Sequence, residues 1–406
     1  MKSWQFTTRW LLSSQFAARV LGLVNNVLLA RWLAPASYGD FTQAMAIAGS
    51  LAPLADMGVS AIITRHTARR PHAFFVLSAA IGLRVVQASL LLGVAMLAAW
   101  WVYHAPSLKV ALALAGAYWA TACVHQLLAG VARARMQAHL ETRAVVLERV
   151  TTVLLAAGGA LWLGLSGALL GVLAGGTLAL IFYLRHLPLP RARVRRLTWK
   201  MLLALGAPLA IADVCHGLIM RLDILAVGMR YGSQSVGWYG SASTLLWASN
   251  LVAGSMSLAM VPVAASQGRG AHGVALRVLR WMLAVAVLLT LVLSGGARFW
   301  ISLLYGAEYA PASDALRVLA WCLVPASVVA WGNAVLLVCH RTAWVGVVAV
   351  GGLACLALCL WWWLPHGLLG ACYAQLATQC SMAGWLWWWI RKNSPAVKLR
   401  PPKSVI

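Results

Sequence analysis

Residues 153–184 read VLLAAGGALWLGLSGALLGVLAGGTLALIFYL and carry no charged side chain. A run of about 20 apolar residues is long enough to cross the hydrocarbon core of a bilayer as a helix. Small residues that would let two such helices approach closely recur on both sides of its centre, at Gly158, Gly159, Gly171, Gly175 and Gly176. The stretch therefore predicts a pair of closely packed membrane helices, the fifth and sixth of the chain.

Apolar runs of this kind recur along all 406 residues, of which 62% are hydrophobic and only 10% charged. Soluble domains carry about a quarter charged residues, so a water-soluble globule is excluded. Spans of a β-barrel are excluded too, because the runs do not alternate with a period of two. We predict an all-α polytopic membrane protein of about twelve transmembrane helices. The runs start near Trp10, Phe41, Leu83, Val110, Ala144, Ala168, Met201, Val236, Leu279, Leu316, Trp344 and Leu368.

The formal net charge of +24 is concentrated in alternate connectors between the runs. Because cytoplasmic loops carry the excess of Lys and Arg, both termini are predicted to be cytoplasmic in a multi-pass protein of the bacterial inner membrane. The densest basic stretches, Arg185–Lys200 and Arg391–Lys403, are expected to contact the anionic inner leaflet. The charge is thus explained by topology and lipid contact, and no nucleic-acid partner is predicted.

The first apolar run contains Arg19 and continues without a small-residue cleavage site, so it is predicted to remain as a membrane helix. All eight cysteines lie in or beside apolar runs, and the pair Cys355 and Cys359 has no neighbouring His or acid in its helix. These thiols are interpreted as small buried hydrophobic groups. We therefore predict no metal site and no cofactor.

The basic, proline-containing connector divides the chain into two sets of six spans. The predicted organisation is an N-terminal lobe at 1–185, a cytoplasmic linker at 186–200, a C-terminal lobe at 201–390 and a basic cytoplasmic tail at 391–406. A short repeat supports this division, because YGDFTQA at 38–44 opens the second helix and VGWYGSA at 236–242 opens the eighth. Two six-helix lobes with the same orientation would be related by a pseudo-two-fold axis along the membrane normal, as in many transporters.

Several segments together resemble the polysaccharide-biosynthesis, or O-antigen (Wzx-type), lipid-linked oligosaccharide flippases of the multidrug/oligosaccharidyl-lipid/polysaccharide exporter superfamily. The segments are LARWLAPASYG at 29–39, ADMGVS at 55–60 with Arg65, RLD at 221–223, GWY at 237–239, Val261-Pro262 and LYGAEYA at 304–310. The resemblance implies transport of an undecaprenyl-diphosphate-linked glycan from the inner to the outer leaflet by alternating access. It also implies a role in lipopolysaccharide or other polysaccharide biosynthesis, with a polysaccharide polymerase or export proteins as partners.

Ionisable residues inside apolar runs are the other informative feature, because each costs about 2.5–3.5 kcal/mol unless it is paired or faces water. They are Arg19, Arg84, Arg149, Arg221, Asp56, Glu148, Asp213 and Asp223. One interpretation is a polar cavity whose arginines bind diphosphate, since a guanidinium fork matches phosphate oxygens. The other is that the bases and acids are paired with one another. The sequence leaves both open.

Individual positions carry more specific predictions. Arg19 and Asp56 lie at similar depth in adjacent helices, which predicts a buried ion pair, whereas Glu148 and Arg149 are close enough to a helix end to reach the interface by snorkelling. Arg84 is also a candidate end residue. The predicted substrate contacts are Arg19, Asn25, Asn26, Arg84, His216 and Arg221, and the predicted structural or coupling residues are Asp56, Asp213 and Asp223.

In the seventh helix, Asp213 and His216 are neighbours at i,i+3, and an imidazole beside a carboxylate can respond to protons near neutral pH. On a regular helix Arg221 and Asp223 point about 160° apart, so they are predicted not to pair. His216 and Asp223 would then share one face. We expect Arg221 to face the substrate and Asp223 to anchor the lobe through a buried hydrogen bond or ion pair.

Two other functions are compatible with a polytopic membrane protein: a membrane enzyme and an antiporter. A membrane enzyme such as a polymerase or ligase is disfavoured because the longest outer connector, around Tyr305–Asp314, offers no nucleophile with a base. A cation-coupled antiporter of the multidrug and toxin extrusion type is expected to carry an acid in its first helix, where this chain has Arg19 and two asparagines. The antiporter remains the alternative, and no enzymatic activity is predicted.

Overall fold

The computed structural model describes residues 2–69, 74–102, 106–187, 196–250, 253–257, 260, 271–339 and 341–392, and these residues are almost entirely helical. The helices are α1 Lys2–Trp32, α2 Pro35–Asp56, α3 Val59–Arg69, α4 Phe74–Val102, α5 Pro106–Ala134, α6 Ala138–His186, α7 Arg196–Ile219 and α8 Leu222–Ser249. They continue as α9 Ala271–Gly295, α10 Ala297–Leu304, α11 Ala312–Leu319, α12 Leu323–Val338, α13 Thr342–Trp363 and α14 Leu368–Lys392. Short 3₁₀ turns at Ala307–Tyr309, Ala320–Cys322 and Leu364–His366 join neighbouring helices.

Helix α6 is a hairpin of two antiparallel helices that reverse at Gly164, whose φ of 59° and ψ of −135° are not helical. The backbones of Gly159 and Gly167 touch, and farther from the turn Gly175 lies against Thr152. Residues that far apart in one straight helix would be separated by more than 30 Å. The close approach of the fifth and sixth predicted helices through glycine is therefore confirmed.

Helix α8 reverses in the same way at Gly232, where φ is 76° and ψ is 179°. Tyr239, which follows this turn, donates a hydrogen bond to Asp223, which precedes it. The segment 222–231 thus continues the direction of the seventh span, and 233–249 begins the eighth. Only glycine adopts this backbone conformation without strain, which explains how the helix can reverse its direction at a single residue.

Each of the twelve predicted starts falls inside a helical segment once α6 and α8 are divided at these turns. In the described part of the chain, six helical segments are long and apolar enough to span a membrane by length and composition, with α6 counted as one and α11 and α12 counted together. The remaining segments, in α1, α2, α7, α8 and α14, are interrupted by polar residues. Four of these five helices, α1, α2, α7 and α8, form the first, second, seventh and eighth spans. These are the two pairs of spans that the sequence repeat relates.

The repeat also appears as a reciprocal contact between α2 and α8. The backbone of Gly39 packs on Ser233, and the backbone of Gly237 packs on Pro35. Gly237 follows Gly39 by the same number of residues as Ser233 follows Pro35, so one contact maps onto the other. Such self-complementary contacts are produced by two-fold symmetry, and here they are internal to the chain.

The chain divides into two compact units, Met1–Gly240 and Ser241–Ile406. In the first, α1 and α5 pack on α6, and α2 packs on α4, α5 and α7. In the second, α14 packs on α12 and α13, and α9 packs on α12. The six-helix lobes at 1–185 and 201–390 stay a prediction, as does the linker, because residues 188–195 lie outside the described residues. The same holds for the tail from residue 393 and for the Val261-Pro262 segment.

Candidate functional site

The guanidinium of Arg84 is fully buried between α2 and α4. It donates hydrogen bonds from Nη1 to the carbonyl of Ala55 at 2.7 Å and from Nη2 to Ser60 Oγ at 2.6 Å. Nη2 also forms an ion pair with the carboxylate of Asp56, which accepts a further bond from Ser60 at 2.6 Å. These bonds of Arg84 stabilise the break between α2 and α3, where Met57 and Gly58 have positive φ angles.

This arrangement corrects two predictions. The partner of Asp56 is Arg84, so the predicted Arg19–Asp56 ion pair is wrong, and Arg19 is exposed on α1. Arg84 is not an end residue, and its buried guanidinium has no surface open to a ligand in this arrangement. Arg84 acts as a structural anchor in this arrangement, and its predicted role as a substrate contact stays a prediction without support from it. Removing one partner of such a buried pair typically costs about 3–5 kcal/mol.

Arg221 has a different environment, at the break between α7 and α8. Its guanidinium carbon lies 5.2 Å from the ring centroid of Trp119, and Nη1 donates to the carbonyl of Gly217 at 3.2 Å. The side chain passes over Gly49, where an added β-carbon would lie 2.8 Å from both Arg221 Nε and the Trp119 ring. Within the described residues this arginine meets no carboxylate. It is a half-buried cation held by an aromatic face, with a charge that no acid neutralises.

Asp223 makes the buried hydrogen bond that the sequence predicted. Its Oδ2 accepts from the hydroxyl of Tyr239 at 2.6 Å, and its Oδ1 accepts from the backbone N–H of Ile224 at 2.8 Å. Both side chains are buried, so the bond joins the two sides of the Gly232 turn. Charge-assisted bonds of this type contribute about 1.5–3 kcal/mol.

The shared face predicted for His216 and Asp223 is wrong. The helix is interrupted at Met220 and Arg221, so the rotation expected for a regular helix does not carry across. His216 and Asp213 are exposed on α7, whereas Asp223 is buried. Their spacing still makes Asp213 and His216 neighbours on one side of α7.

A second ionic cluster is centred on Glu148 of α6, which is buried. Its carboxylate lies 3.4 Å from Tyr118 Oη and 3.7 Å from His125 Nε2, both on α5, and 3.9 Å from Arg149 Nη2. The expectation that Glu148 reaches the interface by snorkelling is wrong, because the carboxylate points between α5 and α6. Tyr118 and His125 were not selected from the sequence, since one tyrosine and one histidine in an apolar run carry no distinguishing spacing.

The two asparagines of α1 differ in their surroundings. Asn25 is buried, and its Oδ1 has no hydrogen-bond partner among the described residues. Asn26 donates from Nδ2 to the carbonyl of Gly22 at 2.9 Å, so its amide is satisfied by its own helix. Their role as substrate contacts stays a prediction.

Polar groups buried in the second unit are neutral. Among its described residues, no buried side chain is charged, and the buried polar ones are hydroxyls and amides: Ser241, Ser243, Ser257, Thr290, Ser313, Ser327, Gln375, Thr378 and Gln379. Most hydroxyls are satisfied by backbone carbonyls, as for Thr290 with Ala320 at 3.0 Å. No group of three His, Cys, Asp or Glu in the described ranges is arranged to hold a metal ion.

Residues 7–267 match the family described as polysaccharide biosynthesis protein. No curated protein matches the sequence.

Solved structures of about the same length share the fold. A multidrug resistance MATE family transporter of the MOP superfamily in its inward-facing conformation is 16% identical, with a TM-score of 0.78 and 96% of each chain covered. The lipid II flippase MurJ is 14% identical with a TM-score of 0.79, over 96% of this chain and 90% of its own. A MOP superfamily transporter from Pyrococcus furiosus is 16% identical, with a TM-score of 0.64 and coverage of 97% and 96%. The fold is thus that of two-lobed, all-α, polytopic membrane proteins.

Proposed function

The chain belongs to the polysaccharide biosynthesis protein family, and from this premise we propose that it is a flippase for a lipid-linked oligosaccharide. The substrate would be an oligosaccharide on undecaprenyl diphosphate, moved from the inner to the outer leaflet of the bacterial inner membrane for O-antigen or related polysaccharide synthesis. A polymerase or export protein would use the product. Both termini would be cytoplasmic, as the distribution of Lys and Arg predicts.

The observation that carries this proposal is the position of Arg221. A diphosphate brings negative charge into the membrane, and a cation already neutralised by an acid would contribute little to binding it. Arg84 and Arg149 have carboxylate neighbours, whereas Arg221 is held by Trp119. The Trp119 ring and the bond to Gly217 hold the guanidinium in place and leave its remaining N–H groups for phosphate oxygens.

Gly49 supports the same assignment, because it provides the space through which Arg221 reaches Trp119. Trp119 is itself fixed by a hydrogen bond from Nε1 to the carbonyl of Met45 at 3.2 Å. Arg19, in the first apolar run, also has no carboxylate partner in the described residues, and it remains a candidate substrate contact.

The test is glycan export in a strain that lacks the chromosomal gene and carries plasmid-borne variants. Arg221→Gln should abolish surface glycan and leave lipid-linked glycan on the cytoplasmic side, with normal protein level in the membrane. Arg230→Gln is the matched control, because Arg230 is an exposed arginine of α8. Normal export by Arg221→Gln would overturn the proposal.

The alternative function is a cation-coupled antiporter of the multidrug and toxin extrusion type. Exposed Asp213 beside His216 on α7 favours it, because an accessible carboxylate can bind a cation. In that case Asp213→Asn would remove efflux of a cationic dye such as ethidium, and Arg221→Gln would not. Loss of glycan export without any effect on dye efflux would instead favour the flippase.

A further inference from the structure

Glu148 occupies a site that substrate binding as proposed above does not use. Its carboxylate lies between α5 and α6, with neighbours at 3.4 Å, 3.7 Å and 3.9 Å. These separations are longer than the 2.7–3.2 Å of most strong hydrogen bonds. The carboxylate is therefore surrounded by polar groups without being saturated by them.

Four buried polar atoms around it have no hydrogen-bond partner within the described ranges: His125 Nε2, Arg149 Nε, Thr152 Oγ1 and Tyr183 Oη. Buried polar atoms in proteins are satisfied in roughly 90% of cases or more, so four together indicate a group whose occupancy changes or an internal water. Thr152 lies one helical turn beyond Glu148 on the same side of α6. Tyr183 comes from the returning half of the α6 hairpin, where it packs in one buried cluster with Ala144.

Polar groups continue from Glu148 toward the end of the unit where α5 meets α6. Glu141 precedes Glu148 by two helical turns, about 10 Å, on the same face of α6. Its carboxylate forms an ion pair with Arg133 Nε at 3.0 Å, and Arg133 is half exposed. The hydroxyl of Tyr183 is close enough to both glutamates to feel the charge of each. A series of ionisable groups thus leads from the surface to the buried pair.

We propose that Glu148 and His125 together bind and release one proton, and that Tyr183 and Glu141 connect them to the predicted cytoplasmic surface. On uptake, a proton from bulk water adds to the carboxylate–imidazole pair, and on release the same proton returns to water. A buried carboxylate and imidazole 3.7 Å apart form one site that one proton can occupy.

The other polar and charged groups around Glu148 and His125 determine which ion the pair can bind. Arg149 on α6 keeps positive charge beside the carboxylate, and Tyr118 on α5 donates to it. A metal ion would meet repulsion from Arg149 and find a single carboxylate, so a proton fits the site better. Of the helices that also pack on α6, α1 presents among its described side chains only exposed arginines as titratable groups.

The acids of α2, which also packs on α6, have partners elsewhere. Asp40 accepts a hydrogen bond from Ser233, and Asp56 is paired with Arg84. The inference deepens the proposed function by naming proton movement as the coupling step, but protonation of the pair does not depend on the substrate.

The test is infrared difference spectroscopy of the purified full-length protein in nanodiscs, comparing neutral with mildly acidic buffer. The wild-type protein should gain one proton at the pair, seen as carboxyl or imidazolium bands, and both Glu148→Gln and His125→Asn should lose this signal. Tyr183→Phe deletes one oxygen. It should slow proton exchange, but the difference spectrum at equilibrium should be the same as that of the wild type. Asp223→Asn is the control, because Asp223 also accepts a tyrosine hydroxyl but has no imidazole neighbour.

An unchanged spectrum in a folded Glu148→Gln or His125→Asn protein would overturn the inference, and it would leave the proposed function intact. Export in cells then tests the coupling. A protonophore should reduce wild-type export several-fold, whereas export by Glu148→Gln should already be low and insensitive to it. Wild-type export that resists the protonophore would contradict proton coupling, while loss of export in Arg221→Gln would still support the flippase.

Discussion

The two compact units bury polar groups of different kinds. The first unit encloses charged side chains, among them Arg84, Glu148 and Asp223, whereas the buried polar groups described in the second unit are hydroxyls and amides. Both units are built from helices of similar length and apolar character, so packing alone does not require buried charge. Removing an ion from water costs several kcal/mol even in a relaxed protein interior. Arg84 and Asp223 stabilise a break and a turn in helices, and for Glu148 we propose a proton site, so these buried charges have more specific roles than folding in general.

The largest expected effect compares an ion pair from each unit. Arg84→Ala should destabilise the protein by about 3–5 kcal/mol, because it empties a buried site and leaves the partly buried Asp56 carboxylate without its partner. Arg317→Ala in the second unit removes an ion pair with Asp314 at 3.4 Å, in which both side chains are about half exposed. That loss should cost about 0–1 kcal/mol. Thermal unfolding of the purified protein in detergent measures both.

If the two variants lost equal stability, the buried ion pair of the first unit would contribute no more than the exposed ion pair of the second. The double variant Arg84→Met with Asp56→Leu provides a further check, since replacing both partners by apolar groups should recover part of the stability. No recovery would indicate that the bonds to Ala55 and Ser60 contribute more than the charge pair.

Two adjacent glycines test how the α6 hairpin of the first unit is packed. A β-carbon at Gly159 would overlap the backbone of Gly167, so Gly159→Ala should destabilise by about 1–3 kcal/mol. Gly158 has nothing within 4 Å of such an atom, so Gly158→Ala should be neutral or should stabilise by about 0.5–1 kcal/mol through higher helix propensity. Thermal unfolding distinguishes them, and similar values for both would contradict the antiparallel contact at Gly164.

The smallest effect is expected in the neutral interior of the second unit. Gln375 is fully buried on α14, and neither amide atom has a hydrogen-bond partner in the part of the chain described. Gln375→Met keeps the volume, so stability should rise or change by less than about 1.5 kcal/mol. Thr290→Val is the control, because it removes a bonded hydroxyl and should cost about 0.5–1.5 kcal/mol. A larger loss for Gln375→Met than for Thr290→Val would show that the amide has a partner.

Hydrophobic runs and the short repeat were sufficient to predict the helices, their order and the glycine contacts of the fifth and sixth spans. Ion-pair partners were not predictable in the same way. Depth along a helix places Arg19 and Asp56 at a similar height, but it does not give the rotation of either helix or the packing of α4. Arg84 pairs with Asp56 because α2 ends there, at Met57 and Gly58.

The interruption of the seventh span at Met220 and Arg221 was also not predictable from the sequence. This break separates the face of His216 from that of Asp223. Trp119 was not selected from the sequence, because a tryptophan in a membrane protein is most often an interfacial residue. Its position in the middle of α5, far from either helix end, was the available signal.

The central claim is that Arg221, which has no acid partner among the described residues, binds the diphosphate of a lipid carrier. Its most direct test is the affinity of the purified full-length protein in nanodiscs for farnesyl diphosphate, with farnesol as the uncharged comparison. The account predicts saturable binding of farnesyl diphosphate that Arg221→Gln weakens by about tenfold or more, since a charge-assisted contact contributes about 1.5–3 kcal/mol. Arg230→Gln should bind as the wild type does. Equal affinity of the wild-type and Arg221→Gln proteins would contradict the claim.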